Sequence, residues 1–135
     1  MTDPEIAVCL EILERTNAED IEGVLARCHE DLECEPFLAQ VEGAPFLGHE
    51  GMRRWWAERQ AAWESIKIEP GEIERVGSHL LMRGVFHTKA RGSGLEISVP
   101  FAQGAQVREG KVAWWGVYST EREARDRIRE RDAQT

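Results

Sequence analysis

The stretch Ser78–Tyr118, SHLLMRGVFHTKARGSGLEISVPFAQGAQVREGKVAWWGVY, reads as three strands joined by two short connections. Arg91-Gly92-Ser93-Gly94 is a turn, and Arg108-Glu109-Gly110-Lys111 is a hairpin loop in which Gly110 suits a positive φ. The strands are expected over about 79–90, 95–107 and 112–118. A further strand is expected before them, near 66–76, with Pro70-Gly71 marking a bulge or bend. Four strands linked this way form a small curved antiparallel sheet able to close over a pocket.

Upstream of the sheet the apolar period changes to that of helices. Asp3-Pro4 combines an N-cap with a proline at the first helical position, where its missing N–H costs nothing. Ile6, Val8, Cys9, Leu10, Ile12 and Leu13 follow at helical spacing. Asn17 is expected to cap a second helix carrying the stripe Ile21, Val24, Leu25 and Cys28, and the short connection makes a helical hairpin. Leu32, Cys34 and Pro36 alternate with Glu33 and Glu35, the period of a half-buried strand that ends at Pro36. A loop over 37–47 leads to a third helix from about Gly48 to Trp63. Its Met52, Trp55, Trp56, Arg59 and Trp63 share one face.

Thr120-Glu121-Arg122-Glu123 is a capping-box signature for a terminal helix over 120–132. Ala124 and Ile128 are almost its only apolar residues, so it is expected to lie exposed. Helices first and an antiparallel meander after them define a single α+β domain over 1–135.

Composition narrows the function classes. The 135 residues include 41% hydrophobic ones, enough for a core without staples. The net charge of −8 divides into −11 over residues 1–50 (thirteen acidic, two basic) and +3 over residues 51–135 (twelve acidic, fifteen basic). An acidic chain repels phosphate backbones, so no nucleic acid is expected as partner. No run approaches the ~20 apolar residues of a membrane helix, and the opening MTDPEIAV has no basic region of a signal peptide. Cys9, Cys28 and Cys34 lack CxxC spacing, which fits a reducing cytoplasm. The histidines at 29, 49, 79 and 87 share no metal-ligand spacing, and no GxGxxG, Walker or GxSxG motif occurs. Neither metal nor cofactor is expected.

Three segments carry a family resemblance: GAPFLGHEGMRRWW (43–56), GSHLLMRGVF (77–86) and FAQGAQVREGKVAWWGVY (101–118). With the order of elements, over nearly the whole chain, they resemble the SnoaL-like polyketide cyclase and ketosteroid isomerase-like group of the nuclear transport factor 2-like superfamily. The resemblance implies a cone in which a curved sheet wraps the helices around a deep apolar cavity, and homodimers formed through the sheet's outer face. SnoaL-like cyclases carry a His in the strand before the last hairpin and an Asp in the final strand. Counted from Gly110-Lys111, those positions fall on Gln103 and Val117. The Arg and Asp of the epoxide-hydrolase branch fall near Gly84 and Phe86. Both acid–base sets are therefore expected to be missing.

This register turns Phe101, Gln103, Ala105, Ala113, Trp115, Val117, Leu80, Met82, Gly84 and Phe86 inward, with Cys34 and Pro36 contributing from the first strand. A slip of one residue would reverse every assignment. Ala105 stands where relatives often carry Trp, leaving more room. Gln103 can donate and accept but cannot take a proton near neutral pH, so it suits orientation and not general base catalysis. Trp115 is expected in the cavity wall. Trp114 is expected to face outward and support a dimer. Arg59 can pair with an acidic ligand or snorkel at the cone mouth. His87 and Glu35 point outward in this register, and Cys34 behaves as a small hydrophobe.

The reading is thus a cytoplasmic homodimer binding a small, mostly apolar molecule. Its ligand-binding residues are Gln103, Trp115, Phe86, Met82, Cys34, Phe101, Val117 and Arg59. The alternatives are an isomerase, cyclase or hydratase working through Gln103 with Arg59 or a pocket water, and a non-catalytic dimerisation domain.

Overall fold

Asp3 accepts a hydrogen bond from the Glu5 amide at 2.9 Å and starts helix α1 (Pro4–Asn17) as its sequence requires. The computed structural model describes residues 3–37 and 43–134. Helix α2 (Ile21–Leu25) is capped by Asp20, not by Asn17. Asn17 closes α1 instead, and its amide bonds both the N–H and the C=O of Ile68 at 2.8 Å. A side chain read as a local cap is in fact a long-range clamp between helix and sheet.

Strand β1 (Cys28–Glu35) comes next, and the expected 37–47 loop lies partly outside the described residues. Its end forms the short strand β2 (Phe46–Leu47), followed by helix α3 (Gly48–Ala62). Met52, Trp56 and Arg59 are buried on one face of α3, but Trp63 has left the helix and begins β3 (Trp63–Val76). Strands β4 (His79–Ala90), β5 (Glu96–Arg108) and β6 (Lys111–Tyr118) complete the meander. The register of β3 on β4 shifts between Pro70 and Ile73, where the sequence placed a bulge. Gly110, at φ 77°, supplies the left-handed turn before β6.

The six strands form one mixed sheet in the order β2-β1-β6-β5-β4-β3, with β1 parallel to β6. Helices α1, α2 and α3 pack on its inner face. There Val8, Leu13, Val24, Leu32, Cys34, Trp56, Leu80, Met82, Phe101 and Trp115 belong to one buried cluster. The outer face holds a second cluster of Leu81, Ala102, Trp114, Tyr118, Ala124 and Ile128.

That second cluster corrects the expectation for the C-terminus. Helix α4 (Glu121–Ala133) is not exposed along its length but seals the outer face. Thr120 caps it through the Glu123 amide, as the capping box requires. Ala124 and Ile128 then suffice as apolar anchors, both essentially fully buried. Gly104 makes the seat: a Cβ there would stand 2.5 Å from the Trp114 ring, so only glycine lets the indole lie flat against β5.

Candidate functional site

Strand pairing fixes which side chains meet. Met82 stands opposite Gln103, Gln103 opposite Val117, Leu80 opposite Ala105, and Ala105 opposite Trp115. Cross-strand partners share a face, and Met82, Leu80, Ala105, Trp115 and Val117 all belong to the inner cluster. The amide at 103 and the valine at 117 therefore look inward.

Between α1 and this face lies a small, partly open recess of about 40 Å³. Cys9, Ile12 and Leu13 of α1 line one side; Ile73, Leu80, Met82, Gln103, Ala105, Val112 and Trp115 line the other. A water in bulk liquid occupies roughly 30 Å³, and drug-sized ligands occupy pockets of about 300–1,000 Å³. As it stands the space holds a water-sized group.

Gln103 is the one polar side chain among these lining residues. It is half-buried; among the described residues no hydrogen bond to its amide is found, and the amide is open to water, not sealed in the wall. A carboxamide in an apolar wall with its donors and acceptor unused is set to hold a hydroxyl or carbonyl. The Cys9 thiol beside it is pushed up to about 12 by burial, reinforced by the charges of Glu5 and Asp3, so it stays protonated.

The other expected site residues distribute along the inner face. Cys34 is buried there, its sulfur 3.8 Å from Met52 Sδ, and burial raises its pKa strongly. Phe101 and Val117 are buried in the same cluster without lining the space. Phe86 is half-buried and stacks on Phe101 with centroids 3.9 Å apart and planes at 12°. Trp55 meets Trp115 edge-on at 5.0 Å. Arg59 sits at the end of α3, its Nη2 donating to the Ile66 carbonyl at 3.1 Å and its guanidinium 4.8 Å above Trp56. So Gln103, Trp115 and Met82 are brought together, while Phe86 and Arg59 lie further along.

The lining residues not anticipated as such are Cys9, Ile12, Leu13, Ile73 and Val112. The first three carried a signal in their helical spacing, which marked a buried face without saying what it would cover.

The outward residues are also placed as the register requires. His87 bonds Glu69 at 3.0 Å and Ser98 at 2.8 Å. Glu35 accepts from Trp114 Nε1 at 2.9 Å, from the Tyr118 hydroxyl at 3.1 Å and from both arms of Arg127. Burial works to raise its pKa, but Arg127, Trp114 and Tyr118 outweigh it and leave the carboxyl below its usual range. Trp114 does face outward, but α4 covers it completely, so it offers no surface to a second subunit.

A cone-like sheet with helices inside and an apolar recess under α1 defines the nuclear transport factor 2-like class. The SnoaL-like domain profile matches residues 10–115, and the chain belongs to that family. Solved structures agree on the fold. TerC, co-crystallised with polyporic acid, is 21% identical over 92% of this chain and 99% of its own, with a TM-score of 0.78. Rv0760c of Mycobacterium tuberculosis, in complex with estradiol-17β-hemisuccinate, is 19% identical over 90% of this chain and 97% of its own, at 0.76. A putative polyketide cyclase of Sinorhizobium meliloti is 22% identical over 82% of this chain and 93% of its own, at 0.66. No curated protein matches. No helix among the described residues is long and apolar enough to cross a membrane.

Proposed function

We propose that the chain binds a small, mostly apolar molecule against the inner face of its sheet, without proton-transfer chemistry of its own. The observation that carries this is the unpartnered Gln103 amide among apolar lining residues. TerC and Rv0760c each hold a small molecule, which supports the same use of this fold. A ligand enlarges the water-sized space by moving the flexible Met82 and the α1 side chains. The amide fixes one polar group, and Trp115, Phe86 and Phe101 supply the walls. Where cyclases carry an acid–base pair this chain has Gln103 and Val117, so orientation remains and proton abstraction does not.

A thermal-shift screen with steroid- and polyketide-like compounds tests this. Binding raises the melting temperature by mass action, and Gln103→Ala weakens it about three- to tenfold, the worth of one hydrogen bond. No shift with any compound in the screen would sink the reading. The small volume favours one other reading, a packed domain with no ligand that serves in association. On either reading we place self-association on the outer face beyond α4, near Val85 and His87, and sedimentation of the wild type measures it.

A further inference from the structure

Guanidinium groups in this chain generally find carboxylates: Arg27 meets Glu11 at 2.6 Å, Arg75 meets Asp3 at 2.8 Å, and Arg127 meets Glu35 at 2.8 Å. Arg59 does not. It is more deeply buried than those three, at 6% exposure, yet no described carboxylate stands within ion-pair distance. Its one hydrogen bond goes to a neutral carbonyl, of Ile66, and Trp56 covers one face of the fork. Glu19 acts on it only at longer range, through charge. None of its unbonded donors is enclosed, so they stay open to an incoming anion.

A second observation lies on the same rows of the sheet. Ile66 pairs with Thr88, which pairs with Ile97; Ile68 pairs with Phe86, which pairs with Val99. These rows continue the inner face past Phe101 toward its open end. The helices no longer cover it there: Ile97 is 43% and Val99 41% exposed. An apolar strip left open to water thus ends beside a cation that, among the described residues, has no carboxylate partner.

We propose that the inner face takes a molecule with an apolar body and one carboxylate, the carboxylate on the free donors of Arg59 and the body along Phe86, Val99 and Ile97. This rests on the small-molecule reading above and names the chemical class. Arg59 offers a planar fork with four donors unused, the geometry that receives a carboxylate with two parallel hydrogen bonds.

Calorimetric titration of the full chain with decanoate and naphthaleneacetate, each beside its primary amide, tests it. Each pair matches in shape and differs in charge. We expect the acid of at least one pair to bind about tenfold tighter than its amide, as a charge-assisted contact provides. Arg59→Gln removes that preference, weakening the acid more than the amide, while Arg59→Lys retains part of it. Val99→Glu changes an already exposed position, so the fold is kept, and it weakens the acid more than the amide. Equal affinity of acid and amide in the wild type, or a preference surviving in Arg59→Gln, overturns the carboxylate assignment and leaves the small-molecule reading standing. If neither acids nor amides bind, both fall.

Discussion

Trp114 and Trp115 are neighbours in the chain and live in different surroundings. Trp114 points to the outer face, is fully buried, and has its N–H satisfied by Glu35. Trp115 points to the inner face and borders an unfilled space beside an unpaired amide. One sheet thus has a sealed side and an unfinished side. The sealed side is covered by the helix with the most charge, since ten of the thirteen residues of α4 are Asp, Glu or Arg. Two small apolar anchors suffice because the rest of α4 is tied by ion pairs: Arg127 to Glu35, Arg131 to Glu33, and Arg125 to Glu74. The unfinished side is covered by the more apolar α1. Apolar content therefore does not predict which face is completed. The outer face is closed by the ion pairs that tie α4 to the sheet, even though His79 Nε2, Arg83 Nη1 and Arg131 Nε are left buried there without a hydrogen-bond partner.

The contrast can be broken by substitution. The largest effect is expected from Trp114→Ala, about 3–5 kcal/mol in urea unfolding, as for other buried tryptophans. Trp115→Ala should cost less, because that ring already faces empty volume and loses fewer contacts. Equal costs would mean the two faces are packed alike. Glu35→Gln keeps the shape but removes the charge that Arg127, Trp114 and Tyr118 all address, and should cost about 1–3 kcal/mol.

Acid should reach the sealed side first. Burial lowers the pKa of His79, whose ring is wholly enclosed; Asp132 on α4 opposes this, and Arg131 adds to it. The unfolded chain then takes up the proton first, so stability falls as pH drops below the ordinary histidine value of 6.5. Glu35 acts later: its pKa is depressed, so its contribution is complete above the usual carboxylate range and disappears as pH falls through the lowered value. During acid titration, hydrogen exchange of α4 should increase before that of α1. The smallest effect sharpens the comparison from the other side. Ala105→Val fills part of the inner space, raises stability by roughly 0.5–1 kcal/mol, and abolishes ligand-induced shifts.

Much of this was legible in the chain. Gly110-Lys111 marked the last hairpin, but Gln103 meets Val117 only because the register shifts between Gln106 and Val107, an irregularity that nothing in the hairpin loop announces. Asp3, Pro70 and Thr120 each marked what the structure shows. The errors share a cause. Asn17 was read as a cap because its partner, Ile68, is far away in sequence. Helix α4 was read as exposed because its docking depends on Glu33, Glu35 and Glu74, none of them local. The lining role of Cys9, Ile12 and Leu13 was hidden for the same reason, since periodicity marks a face and not its neighbour. Arg59 stands out on its apolar stripe, but only the coordinates show that no described carboxylate meets it.

The parallel pairing of β1 with β6 has a consequence for how the polypeptide assembles. Glu35 and Trp114 are 79 residues apart, and among the described residues the other edge of β1 is paired by the two residues of β2. On a ribosome, β1 therefore emerges long before its main neighbour exists. Closing so long a loop carries an entropic toll that short hairpins escape, so the meander is expected to form first and the N-terminal segment to seat afterwards.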